Sequence, residues 1–227
     1  MNPLSIFTIG IIFIFAFNTN VQGKLQCKAP IVDIPKDWLD MKDPCVKKVQ
    51  AQVQEELTAA MTYFAMGAHF SKDTINRPGF AQFFFDSATE EREHATKLIH
   101  YLLMRGQLTT EVGQLIRDPA PLAEIWPDGI TALKNALKLE AHVTRKLVDI
   151  AKICEDPGQE GEHWNDYHIV DWIANEYLDE QYKGQRQLAG MISNLGKMID
   201  TNGQLGEFLF DKKLLFGDDF VKDMVTA

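Results

Sequence analysis

Glu91 and His94 stand three residues apart in the run Glu90-Glu91-Arg92-Glu93-His94, and both fall on the apolar seam of a helical pattern. Phe80, Phe84, Ser87, Glu91, His94, Leu98 and Tyr101 recur at alternating spacings of four and three, the period of a helix face turned toward a partner. An inward carboxyl and imidazole need compensation, because an unpaired buried ion costs on the order of several kcal/mol. A cation bound between them would provide it.

Three further seams repeat the anomaly. They are Val49, Val53, Glu56, Ala60, Tyr63; Leu133, Leu137, Glu140, Thr144, Leu147; and Tyr177, Gln181, Gly184, Leu188, Met191. Each puts an oxygen donor where a hydrocarbon belongs. A lone seam glutamate reads as an edge residue with its head group in water. Four coincident interruptions, one of them a Glu-x-x-His pair, instead match the way helix bundles build di-iron carboxylate sites.

In such a site carboxylates bridge and neutralise the metals and an imidazole completes one of them. Glu91 suits the bridge, with His94 and Glu56 on one iron and Glu91, Glu140 and Gln181 at the other. A symmetric centre would carry a second Glu-x-x-His, but here Gln181 is followed three residues later by Gly184. The lopsided donor set suits iron that passes through as substrate better than a permanent cofactor. Tyr63, two seam steps beyond Glu56, is placed to bond a ligand carboxylate, although spacing alone fits an ordinary core tyrosine equally well. Glu90 and Glu93 sit off the seam centre, as solvated charges or as a cluster that gathers cations.

The elements that position these groups follow from the same pattern. Asp43 as N-cap and Pro44 at the first position open a helix to about Phe70. Asn76 caps a second that begins near Pro78 and stops at Gly106. The stretch to Pro127 holds Gly113, Pro119 and Pro121 and no sustained seam, so it reads as a long crossover. A third helix runs from near Asp128 to Cys154 and a fourth from about Glu162 to Met198. After Asn202-Gly203 a short fifth covers Gln204 to Leu214, with Leu205, Phe208, Leu209 and Leu215 as its apolar side for docking or assembly. The expected fold class is all-α: a four-helix bundle with a long crossover between its second and third helices plus a short C-terminal helix.

The 227 residues, 45% hydrophobic, suffice for one domain with a substantial core. An apolar run from Ile6 to Phe17, with small residues before Gly23, reads as a secretory signal over 1–23, too short to span a bilayer comfortably. Its lack of Lys or Arg leaves an uncleaved anchor as the lesser alternative. Residues 24–43 form an extension, 44–215 the di-iron domain and 216–227 a tail. A net charge of -9 without a basic stripe gives no footprint for nucleic acid and favours metal cations. Cys27, Cys45 and Cys154 are not spaced for zinc. Cys27 and Cys45 allow a bridge within or between chains, and Cys154 reads as a core residue with a bridge left open. The cysteine left over predicts that some subunits are covalently linked. The sequence contains no Asn-x-Ser/Thr acceptor.

At these residues the chain resembles ferritin, in particular its heavy-type subunit. Glu55-Glu56-Leu57 through Tyr63, Glu90-Glu91-Arg92-Glu93-His94, Leu139-Glu140, Tyr177-Leu178-Asp179-Glu180-Gln181 and Phe208-Leu209-Phe210-Asp211-Lys212 carry the likeness from about Pro44 to Leu215. The resemblance implies a hollow 24-subunit shell. In it Glu56, Glu91, His94, Glu140 and Gln181 would oxidise ferrous iron with dioxygen, assisted by Tyr63 and Glu90, and ferric mineral would be deposited inside. The signal segment and cysteine-bearing extension resemble secreted insect ferritins, whose shells mix heavy-type and light-type chains. Asp171 matches one acid of the family's three-fold channel, while Ala174 stands where heavy chains usually carry a second; the route inward is then weaker or comes from a partner chain. Asp86, Glu90 and Glu93 resemble the mineral-nucleating surface. One rival reading, an oxygenase acting on an organic substrate, expects a second histidine where Gly184 stands. The others are a shell subunit with a mainly structural or iron-transport role and a helical bundle used for recognition; loss of Glu56, Glu91 or His94 would favour them, and all three are present.

Overall fold

A computed structural model describes residues 35–107, 115–122, 125–155 and 164–217. From Lys36 onward they form one compact unit of helices. The helices are α1 (Asp43–Phe70), α2 (Pro78–Met104), α3 (Gly129–Glu155), α4 (Tyr167–Ile173), a π-helical turn (Ala174–Leu178), α5 (Asp179–Asn202) and α6 (Gln204–Phe216). α4, the π turn and α5 follow one another directly as the expected fourth long helix, so the all-α bundle with a fifth short helix stands. The signal segment and Cys27 lie outside the described residues. Among those residues, no helix is long and apolar enough to cross a membrane.

The seams pack as their spacing requires. Val49, Val53, Glu56, Ala60 and Tyr63 of α1 are all buried, as are Phe80, Phe84, Glu91, His94, Leu98 and Tyr101 of α2. At one end Phe70, Phe80 and Phe84 stack with centroids 5.2 to 6.4 Å apart, and Phe210 of α6 closes on Phe80 at 5.7 Å. The crossover is tied down along α1. Gln54 exchanges two 2.7 Å bonds with the backbone of Arg117, Leu122 N donates to Thr62, and buried Trp126 packs edge-on against His69. Its chain therefore runs beside α1 in the same direction, which starts α3 at the far end and sets it antiparallel to α1.

The helix starts depart from expectation. Asp43 is the first residue of α1, with Lys42 at the cap, and Arg77 rather than Asn76 precedes α2; neither cap residue makes a side-chain cap bond. Asn76 adopts φ 50° and turns the chain instead. The cap of α2 comes from 131 and 132 residues away: buried Asp211 of α6 accepts from Gly79 N at 2.8 Å and Phe80 N at 3.1 Å. A Cβ on Gly79 would lie 1.9 Å from the Asp211 carbonyl oxygen, so only glycine permits the approach. Residues 164–166 are not helical, and the fourth helix begins at Tyr167, where Asp166 accepts from Ile169 N. α6 buries Gly206, Phe210 and Asp211, whereas Leu205, Phe208 and Leu215 face outward. Its docked face is thus not the one the apolar count suggests, because the Asp211 cap sets its roll. Cys154 is not a free core thiol but is bridged to Cys45, tying α3 to α1 across 109 residues.

Candidate metal centre

Glu56, Glu91 and His94 converge in the middle of the bundle. One ligand atom from each lies within 4.8 Å of the others, and all three side chains are buried. The spacing of three between Glu91 and His94 puts both on one face of α2, and Glu56 meets them from α1. His94 Nδ1 is 3.4 Å from Glu91 Oε2, and His94 Nε2 is 3.3 Å from Glu180 Oε2. With Nε2–H donated to Glu180, the Nδ1 lone pair is left for a cation on the Glu91 side. Glu56 Oε1 accepts from Gln52 at 2.8 Å, while its Oε2 is buried without a partner among the described residues. An acceptor oxygen left bare beside a second carboxylate and an imidazole fits a cation.

The electrostatics say the same. Burial drives the Glu56 carboxyl well above its ordinary range, and the adjacent Glu91 adds repulsion. Glu91 is also pushed up, first by burial and then by Glu140. Such crowded acids keep a proton more readily than free carboxyls do, and a positive ion bound among them would displace it. The Tyr63 hydroxyl donates to Glu140 Oε1, and its phenol is raised by burial and by that carboxylate. Gln181 sits opposite, its Oε1 2.8 Å from Thr144 Oγ1, which in turn accepts from Gln185 at 2.7 Å. The structure thus groups Glu56, Glu91 and His94 tightly, sets Glu140 against Glu91 and Tyr63, and lodges Gln181 against Thr144. Glu90 is apart from them. It is exposed on the wall of a cleft of about 430 Å³, shared with Glu176, Asp179, Glu180 and Gly184, and partial burial and Glu180 raise its carboxyl. A Cβ on Gly184 would meet nothing within 4 Å.

Four contributors escaped the sequence reading. Gln52 lies one turn before Glu56 and was hidden as a plain polar residue, although its i to i+4 spacing carries the amide-to-carboxylate bond. Glu180 is beside Gln181 but off the seam, with half its side chain in solvent. Gln185 is likewise off the seam. Tyr177 was counted as seam only; its hydroxyl donates 2.9 Å to the His94 carbonyl and braces the ligand-bearing turn.

The ferritin-like domain family matches residues 46–198. A ferritin heavy chain of Trichoplusia ni is 52% identical over 190 residues, 84% of this chain and 88% of that one. A ferritin heavy chain of Papilio xuthus is 54% identical with the same coverage, and one of Drosophila melanogaster is 48% identical over 91% of this chain and 98% of its own. The crystal structure of Trichoplusia ni secreted ferritin superposes with a TM-score of 0.78 at 53% identity, covering 84% of this chain and 97% of that chain. By its bundle, its buried carboxylate and imidazole cluster and these likenesses, the chain belongs to the ferritin family.

Proposed function

We propose that this chain, a member of an iron-storing family, is its ferroxidase-bearing kind. It oxidises Fe(II) to Fe(III) with dioxygen and delivers the product to a mineral core inside a 24-subunit shell. The observation that carries this reading is the buried Glu56, Glu91 and His94 cluster with its unpartnered Glu56 oxygen. Iron is the substrate: ferrous ions give up electrons to dioxygen and leave as ferric ions. Glu56 and His94 hold one ion, Glu91 bridges, and Glu140 with Gln181 holds the second more loosely, since an amide brings no charge. Tyr63 orients Glu140, and Glu180 orients His94. Glu90 and its acidic neighbours in the cleft attract cations toward the centre.

Residues 44–215 form the working domain on this reading, preceded by a cleaved signal over 1–23 and an extension over 24–43. Secretion is supported by the description of the Trichoplusia ni structure as a secreted ferritin and by a disulfide that suits an oxidising compartment. Light-type chains share the shell and supply the route for iron that Ala174 leaves weak. Metal-free assembly mixed with Fe(II) in air is expected to form Fe(III) in a fast phase, followed by absorbance, and Glu56→Ala with His94→Ala is expected to abolish it. Equal rates in the variant and the parent would sink the site assignment. Sedimentation and subunit composition of the native particle test the shell.

A further inference from the structure

A series of aromatic rings leads from the metal cluster to the end of the bundle. The His94 ring is 5.4 Å from Tyr177, Tyr177 is 5.3 Å from Trp172, and Trp172 is 4.3 Å from Tyr101, all between centroids. At the far end the Tyr101 hydroxyl accepts from Arg105 Nη1 at 2.7 Å and lies 2.9 Å from His168 Nδ1. A guanidinium has no lone pair to offer, so of these two neighbours only His168, in the tautomer with Nδ1 unprotonated, can take the Tyr101 proton. His168 is exposed and can pass a proton to water. The Arg105 charge is matched by Asp166, through bonds of 3.0 and 2.8 Å, and by Asp40 at 2.7 Å. Burial lifts the Tyr101 phenol to about 12, which keeps it protonated at neutral pH.

Core packing alone would be served by leucine or phenylalanine at these places. Phenol and indole rings differ from those in giving up one electron far more readily. Electronic coupling falls steeply with distance, so transfer in short steps between neighbouring rings outruns one long jump. A phenol can lose its electron near neutral pH only if its proton has a base to go to, and Tyr101 has one.

We propose that Tyr177, Trp172 and Tyr101 conduct an electron to the metal cluster when bound iron cannot supply all that an oxidant demands, His168 taking the phenol proton. The proposal rests on the ferroxidase reading. Two Fe(II) with dioxygen and two protons give two Fe(III) and hydrogen peroxide, which balances without the rings. A chain holding a single Fe(II) that meets peroxide is one electron short, and cleavage of the O–O bond would then release hydroxyl radical. With the rings engaged, Fe(II) supplies one electron and Tyr101 the other, through Trp172 and Tyr177. The O–O bond breaks, and the Tyr101 proton moves to His168, which returns one to solvent. In sum Fe(II), hydrogen peroxide, Tyr101 and one proton give Fe(III), two waters and a neutral Tyr101 phenoxyl radical.

The test loads the metal-free assembly anaerobically with one ferrous ion per chain, adds hydrogen peroxide, freezes the mixture and records its electron paramagnetic resonance. A phenoxyl radical is expected in the parent and its loss in Tyr101→Phe and Trp172→Phe, with a rise in hydroxyl-radical adducts of a spin trap. His168→Ala, at an exposed site, is expected to weaken the radical too, and keeps the test open if Trp172→Phe does not fold. Fe(II) oxidation by air is expected at the parental rate in all three. A radical that persists in Tyr101→Phe, or one lost only in Tyr63→Phe, overturns the relay. Normal oxidation by air without any phenoxyl radical overturns the relay alone, whereas absence of fast oxidation in the parent overturns the ferroxidase reading beneath it as well.

Discussion

Replacing Glu56 by glutamine should make the metal-free protein more stable while depriving it of iron. Glu56 Oε1 accepts from Gln52, and Oε2 is buried with no hydrogen-bond partner among the described residues. In Glu56→Gln the Gln52 bond can persist, and the new amide N–H₂ takes the place of the bare oxygen and can donate to Glu91. The variant thus holds permanently the neutral, donating form that the parent reaches only by binding a proton. The sign follows from linkage. The folded-state pKa of Glu56 is raised from its ordinary 4.5, so the folded chain retains a proton that the unfolded chain has lost. Parental stability is therefore intact below about pH 4.5 and falls as pH rises toward the folded-state pKa, by about 1.4 kcal/mol per pH unit.

Between pH 4.5 and 7 that slope caps the effect at about 3.5 kcal/mol, and relaxation or water at the site brings it to about 1–3 kcal/mol. For a domain of this size each kcal/mol moves Tm by about 2–4 °C. Calorimetry of parent and Glu56→Gln in chelator, from pH 4.5 to 8, is expected to show coincident Tm values at the acid end and a widening advantage for the variant above it. Added divalent metal should raise the parent far more than the variant. A variant no more stable than the parent at pH 7, or an advantage independent of pH, would refute the argument that the cluster is strained by its own charge.

Other consequences follow from packing and topology. Cys45→Ser with Cys154→Ser opens a loop of 109 residues and should cost about 2–4 kcal/mol, read as a lower Tm on non-reducing calorimetry. Asp211→Ala uncaps α2 at Gly79 and Phe80 and should cost about 1–2 kcal/mol, with Asp211→Asn retaining more than half of it, measured by denaturant unfolding. Because Cys45 and Cys154 are paired, Cys27 is the cysteine left over, and Cys27→Ser should remove covalently linked subunits from non-reducing gels.

What was legible in the sequence was whatever the helical period writes locally. Apart from half-buried Ser87 and Leu137, the seams of α1, α2 and α3 are buried as their spacing requires, and the inward Glu56, Glu91, His94 and Glu140 stood out as polar groups on apolar stripes. What was not legible depends on residues distant in the chain. Asp211 caps a helix at Gly79, 132 residues earlier, so the local choice of Asn76 was wrong. Cys45 meets Cys154 only because the crossover sets α3 antiparallel to α1, a course fixed by bonds to Gln54 and Thr62. Gln52 and Glu180 act on the ligands through side chains whose partners no single-helix pattern names.

The fourth helix shows how a local signal can be present and still go unused. Ile169, Ile173, Tyr177 and Gln181 are all buried, at steps of four, four and four. In a regular α-helix each step of four overshoots a full turn by about 40°, so three in succession would swing Gln181 about 120° away from Ile169. The π-helical turn over Ala174–Leu178 takes more residues per turn and absorbs the excess. It keeps Tyr177 on the His94 carbonyl and Gln181 on Thr144 along one inward line. The unbroken run of four-residue steps was itself the sign of that turn. From Gln181 the spacing reverts to three and then four, through Gly184 to Leu188, and the helix is α again. The wide turn therefore sits immediately before Gln181, and deleting one residue within it would leave eleven residue steps from Ile169, about 20° past three turns of a regular α-helix, so Gln181 is expected to keep its inward line while the wide turn closes.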